Sequence, residues 1–170
     1  VDDHPPDAHP DGATYFRYRY SGAYVDAQRE YRAALDTHDP NAIVAVLNRA
    51  PFHVDAYLQL AEVHRTTGEL DYAAEMVERA LYILERAWPA AFKPFDGSCR
   101  MRYDVSENRS LYVALFRYMQ LLSRRALHRT ALQVCKMLYL LDPDSDPMGA
   151  MLCIDSFALL AKENQFLVDV

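Results

Sequence analysis

The sequence predicts an all-α protein built from helical hairpins, and three observations carry that prediction. Apolar and small residues recur at helical spacing along most of the chain. Single glycines or Asp-Pro pairs interrupt the pattern at helix-length intervals. One well-formed helix–turn–helix is flanked by looser copies of itself.

Taken in order, the start "VDDHPPDAHPDG" is acidic and proline-rich, so residues 1–14 read as a flexible segment unlike a signal peptide. Next comes "YFRYRY", Tyr15 to Tyr20, for which two readings stand: packing as a cap on the exposed end of a helical array, or stacking on bases with phosphate contact. In "GAYVDAQREYRAAL" the residues Gly22, Tyr24, Ala27, Tyr31 and Ala34 fall at the turn and second-helix positions of a hairpin. Asp39-Pro40 then starts a short helix at about Asn41. His53 stands at a helix entrance, and Asp55 lies inside the first turn, where a carboxylate complements the helix dipole.

The full repeat is "VDAYLQLAEVHRTTGELDYAAEMVERAL". Tyr57, Leu60, Ala61 and His64 mark its first helix, Gly68 its turn, and Ala73, Val77, Ala80, Leu81 and Leu84 its second. Small residues at Ala61, Ala73 and Ala80 allow close helix approach, and the order of large, small and glycine positions matches the tetratricopeptide pattern. Glu85 replaces the usual closing proline, so the second helix runs on toward Trp88 and ends before Pro89. A long connection follows at about residues 89–105, until Ser106 caps a helix beginning in "ENRSLY". Ala131, Cys135, Leu138 and Pro143 repeat the second-helix positions. Asp146 and Pro147 open a last apolar helix, after which "NQFLVDV" reads as the start of a further one, so the chain reads as part of a longer array. The predicted architecture is a tetratricopeptide-like α-solenoid over residues 15–170, an architecture that usually binds and rarely catalyses.

At 170 residues, 51% hydrophobic and 25% charged, the chain is long enough to bury a core without staples. No stretch offers the roughly 18 apolar residues that crossing a bilayer needs, so a soluble protein without membrane contact is expected. Cys99, Cys135 and Cys153 are odd in number and far apart, which suggests neither a disulfide framework nor a zinc site and fits a reducing compartment. The formal charge of −6 is uneven: Arg100 to Lys136 holds eight Lys or Arg against Asp104 and Glu107, a local +6. That segment suits an acidic partner, peptide or nucleic acid, unless its arginines are solvated helix faces paired with their neighbours.

Signs of catalysis are sparse. "DPDSDP" has the alternating carboxylates of a calcium loop, but Pro147 stands at the sixth position and Cys153 at the twelfth, so a helix-ending and helix-capping turn is the better reading. Cys99 beside Arg100 and Arg102 has the cationic neighbours of a reactive thiol but no histidine nearby in sequence. His64 takes a packing position between two helices. GxxxxGK[ST], GxSxG, HExxH and GxGxxG are absent, and no catalytic residue, metal or cofactor is expected.

"PFHVDAYLQL", "VERALY", "GSCRMRYDVSENRSLYVAL", "TALQVCK" and "LDPDSDP" occur in an order that resembles the family of ribosome quality control complex subunit 1, called transcription factor 25 in animals. The resemblance covers the chain from about Tyr15 and is weakest before His53. It implies a non-enzymatic factor, cytoplasmic and ribosome-associated, that works with an E3 ubiquitin ligase on stalled nascent chains held by the large ribosomal subunit. It further implies that such a factor favours degradation-type ubiquitin chains and helps bring an AAA segregase. A transcriptional repressor role, hence a nuclear location, is attached to animal members.

With this resemblance beside the residue pattern, the segment 96–110 becomes the candidate recognition loop, with Arg100, Arg102, Tyr103, Asn108 and Arg109 as contact residues for the ligase or ubiquitin. The alternative is that Arg100 and Arg109 only tie the loop to carbonyls or to Asp104 and Glu107. Asp55, Leu58, Glu62 and Arg65 form a second candidate surface, on the helix positions that such repeats turn to their concave side. A rival function is direct binding of ribosomal RNA or DNA through the +6 segment and "YFRYRY".

Overall fold

The structure, a computed structural model, describes residues 2, 3, 12–163 and 165. Most of the acidic start, and all of "NQFLVDV" except Gln165, therefore lie outside the described residues. Among those described, seven α-helices account for most residues, and loops, one 3-10 turn and a very small sheet make up the remainder, so the fold is all-α in class. The chain divides into two compact units, one formed by Arg19–Ala87 and the other by the segment before Arg19 with the residues from Trp88 onward.

The Arg19–Ala87 unit consists of α1 (Gly22–Asp36), α2 (Pro40–Arg49), α3 (Val54–Thr66) and α4 (Leu70–Arg86), each packed on the next. Local chemistry explains several of the boundaries. The Ser21 hydroxyl accepts the Tyr24 N–H at 3.2 Å, and the Asp39 carboxylate accepts the Asn41 N–H at 2.9 Å with Pro40 in the first turn. Between α3 and α4 the backbone turns through Gly68 at φ +85°. Residues read as a second helix, from Gly22 to Ala34, instead open the unit: α1 pairs with the following α2. Tyr31, Ala34, Ile43, Val46, Ala56 and Leu60 form a buried cluster, and Ala61, Ala73 and Ala80 are buried where α3 meets α4.

His53 organises a polar network inside this unit. Its ring is fully buried, and Nδ1 accepts the Ala56 N–H at 3.2 Å, capping α3. The proton must then sit on Nε2, which donates to Gln28 Oε1 at 2.7 Å, while Gln28 Nε2 donates to Asp55 at 3.1 Å. Burial holds the His53 pKa below its ordinary value, against the opposing pull of Asp55.

The other unit contains α5 (Arg109–Arg124), α6 (His128–Leu141) and α7 (Ala150–Ala161), with α6 packed against both neighbours. Its sheet was not anticipated. β2 (Thr14–Arg17) runs parallel to β3 (Cys99–Arg100), pairing Thr14 with Cys99 and Tyr15 with Arg100, and β1 (Asp2–Asp3) pairs antiparallel on the other side of β2. Thus the first half of "YFRYRY" is strand, and its in–out alternation runs on past the strand end: Phe16 and Tyr18 are buried while Arg17 and Arg19 are exposed. Phe16 packs edge-on against Phe92, which meets Trp88 in the same manner, and Trp88 Nε1 donates to the Tyr18 hydroxyl at 2.7 Å.

Two helix starts differ in detail from expectation. Ser106 begins a 3-10 turn, Ser106–Asn108, and its hydroxyl donates to Glu107 rather than capping α5. Asp146 does cap the last helix, but from a distance: α7 starts only at Ala150, and the carboxylate accepts the N–H groups of Ala150 and Met151 at 2.8 and 3.0 Å.

Candidate functional site

The connection between α4 and α5 is a folded loop. The Thr14 N–H donates to Ser98 O at 2.8 Å, and the Met101 N–H donates to Leu141 O at 2.9 Å, fastening the loop to β2 and to the end of α6. Met101 is fully buried, and the Tyr112 hydroxyl donates to its carbonyl at 2.5 Å. Cys99 belongs to the same framework: buried, its sulfur accepts the Lys93 N–H at 3.2 Å and lies 3.8 Å from Ala91 O.

This framework forms one wall of a groove of about 590 Å³. Tyr15, Arg100, Arg102, Tyr103, Asp104 and Arg109 line it on the loop side, and Leu141 to Ser145 line it from the turn after α6. Four of the five loop residues singled out from sequence therefore share one surface. Arg100 Nη1 donates to Gly97 O at 2.6 Å and to Cys99 O at 3.2 Å, so this guanidinium also holds its own loop in shape. Arg102 grips Asp104 with both Nε and Nη2, Nε at 3.1 Å, in an exposed bidentate pair. The Tyr103 N–H donates to Asp142 Oδ2 at 2.9 Å, tying the two walls together, and its ring stands edge-on to the buried Tyr112 at 5.4 Å. Arg109 donates from Nε to Tyr103 O at 3.2 Å and lays its guanidinium over the Tyr103 ring, 5.4 Å from the centroid.

Asn108 has to be removed from the set of contact residues. It is fully buried, its Oδ1 accepting the Tyr18 N–H at 3.0 Å and its Nδ2 donating to Arg102 O at 2.9 Å. A short amide with both partners inside the fold is a pin between strand and loop. The second candidate surface also changes. Leu58 is buried with Tyr57, Leu60 and Ala61 in the interior of its unit, because the apolar face of α3 is wide enough to include it. Asp55 accepts from Gln28, and Glu62 and Arg65 pair with each other through two hydrogen bonds.

Sequence reasoning missed Tyr15, Asp142, Asp144 and Ser145 as members of the groove. Pairing of β2 with β3 brings in Tyr15, and the backbone contact between Met101 and Leu141 brings in the acidic turn. Among the described residues no group of three or more His, Cys, Asp or Glu is placed to hold a metal ion, and no helix is long and apolar enough to cross a membrane.

Comparison with known proteins gives a consistent picture. Residues 16–170 match the family model described as "Transcriptional repressor TCF25". The chain is 39% identical over 160 residues to the "Ribosome quality control complex subunit TCF25" of Dictyostelium discoideum, covering 94% of this chain and 22% of that protein. It is 40% identical over 157 residues to the human protein of the same name, covering 92% and 23%. The Schizosaccharomyces pombe "Ribosome quality control complex subunit 1" is 33% identical over 155 residues, 91% of this chain and 24% of that one. The chain thus spans less than a quarter of the length of these relatives. No solved structure matches it.

Proposed function

As the chain belongs to the family of the transcriptional repressor TCF25, whose members include ribosome quality control complex subunits, we propose that it serves ribosome-associated quality control as a non-enzymatic adaptor. In this reading the helical hairpins form part of a binding scaffold. The loop groove contacts the E3 ubiquitin ligase or the ubiquitin it transfers, so that degradation-type chains are built on a stalled nascent chain at the large ribosomal subunit. Recruitment of an AAA segregase and the cytoplasmic, ribosome-associated location follow from the same role.

The observation that carries the reading is the composition of the groove. Arg100, Arg102 and Arg109 meet Asp104, Asp142 and Asp144 there, three charges of each sign. A nucleic-acid site requires a net positive surface that neutralises successive phosphates. A balanced groove with two tyrosines suits a protein surface, where paired charges and aromatic contacts select the partner. The repressor name of the family favours the rival reading of nucleic-acid binding, and one experiment separates the two.

The experiment is co-sedimentation of the protein with large ribosomal subunits carrying stalled chains, and pull-down against ubiquitin and the ligase, for the parent and for Arg109→Gln. Arg109 is chosen over Arg100 because Arg100 holds the Gly97 and Cys99 carbonyls and its loss would disturb the loop itself. Loss of association by Arg109→Gln, with helicity intact and a shallow dependence on salt, is the expected result. Unchanged association, or binding to RNA that falls steeply with salt and survives without the ligase, would refute the reading.

A further inference from the structure

Resting on that reading, we infer that the groove receives an extended segment of a partner polypeptide carrying one acidic and one basic side chain, the carboxylate held by Arg109 and the cation by Asp144. The groove's charges differ in how far the protein itself uses them. Arg102 and Asp104 satisfy each other, Asp142 accepts the Tyr103 N–H, and Arg100 reaches the carbonyls of Gly97 and Cys99. Arg109 commits only Nε, to Tyr103 O. Among the described residues no hydrogen bond or ion pair engages its two terminal nitrogens or the exposed Asp144 carboxylate.

Arg109 is also prepared for a carboxylate. Its Nε bond and the Tyr103 ring beneath it hold the guanidinium in place, and Tyr103 is fixed by the Asp142 bond and by Tyr112. A fork positioned in advance loses little side-chain freedom when two oxygens dock on it. An all-acidic segment would gain Arg109 but face Asp142 and Asp144, and an all-basic one would gain Asp144 but face Arg100, Arg102 and Arg109. Only a segment with both signs satisfies both unengaged groups without placing a like charge against the wall. Tyr15 and Pro143 line the same groove and add apolar surface to it.

The test is an array of acetylated decapeptides bearing Glu and Lys at every pair of positions in an Ala-Ser-Leu background. Control arrays carry only Glu, only Lys or neither, and a labelled oligoadenylate is titrated in parallel. The whole chain is the probe, with leading peptides measured by anisotropy. A subset of mixed peptides is expected to bind at least about tenfold more tightly than every single-sign peptide, the gain of one charge-assisted contact. Arg109→Glu should abolish that preference and favour Lys-only peptides, and Asp144→Lys should favour Glu-only peptides. Equal binding by all arrays, a preference unmoved by both variants, or oligoadenylate outcompeting every peptide overturns the inference. If ribosomal association depends on Arg109 while the arrays show no mixed-charge preference, this inference fails and the adaptor reading stands. Selection of mixed peptides without any effect of Arg109→Gln on association gives the converse.

Discussion

Replacing Asn108 by alanine should destabilise the unit that carries the groove by about 1.5–4.5 kcal/mol. The figure comes from what the amide leaves behind. Tyr18 N–H, buried and bonded to Asn108 Oδ1 at 3.0 Å, becomes an orphan donor costing about 1–3 kcal/mol, and the Arg102 carbonyl loses a bond worth about 0.5–1.5 kcal/mol. Alanine fills too little space to bring in another partner. Trp88, the only tryptophan, provides the assay, because it lies in the same unit and donates to the hydroxyl of Tyr18 itself. Urea unfolding followed by its fluorescence should show the midpoint lowered by roughly 1–2 M for a slope of about 2 kcal/mol/M. Asn108→Asp separates the two bonds, since it keeps an acceptor for Tyr18 but cannot donate to Arg102 and buries a charge. A loss below about 0.5 kcal/mol for Asn108→Ala would refute the assignment of Asn108 as a pin and return it to the set of contact residues.

Three further predictions concern other parts of the molecule. His53 should make the Arg19–Ala87 unit acid-sensitive: its folded pKa is lowered, so the unfolded chain takes up a proton first, and stability falls as the pH drops below about 6.5. Thermal melts by circular dichroism at pH 7.5 and 5.5 should show a drop in midpoint that is smaller in His53→Asn, which keeps a capping side chain without titrating. Gly68→Ala should cost roughly 1 kcal/mol in the same melts, because the added Cβ meets nothing within 4 Å and the penalty is that of φ +85° alone. Cys135, whose thiol burial pushes up to about 12, should resist iodoacetamide at pH 8 in the native protein and react fully in denaturant, as read by mass spectrometry of the peptides.

The helices were legible because their signals are local. Gly68 between two periodic runs, the Asp39-Pro40 pair and the fall of periodicity before Pro89 all act within a few residues of the boundary they set. The pairing of α1 was misread because its small and large positions satisfy either member of a hairpin, and only α2 packing against it decides the matter. The strand at Thr14–Arg17 was legible in principle. Phe16 and Tyr18 alternate with Arg17 and Arg19 at a strict period of two, a strand signal overlooked in favour of a helical array. Its partner could not have been read, since β3 is two residues long and more than eighty residues away.

The site was half legible for a related reason. Counting charge along the chain produced a +6 segment and made nucleic acid a natural partner, but the count assumed that neighbours in sequence are neighbours in space. Two hydrogen bonds, one to a backbone carbonyl and one to a side-chain carboxylate, overturn that assumption. Met101 N–H to Leu141 O and Tyr103 N–H to Asp142 Oδ2 carry the acidic turn after α6 onto the arginine loop, so carboxylates from outside the basic segment neutralise the groove. The remaining arginines of that segment, Arg117, Arg124, Arg125 and Arg129, belong to α5, α6 and the turn between them and do not line the groove. The charge that a ligand meets is therefore set by tertiary contacts, and it can be changed without touching an arginine. Asp142→Asn should leave the Tyr103 bond with an acceptor while removing one negative charge from the wall. If the groove reads charge as argued, that single change shifts its preference toward acidic segments without loosening the loop.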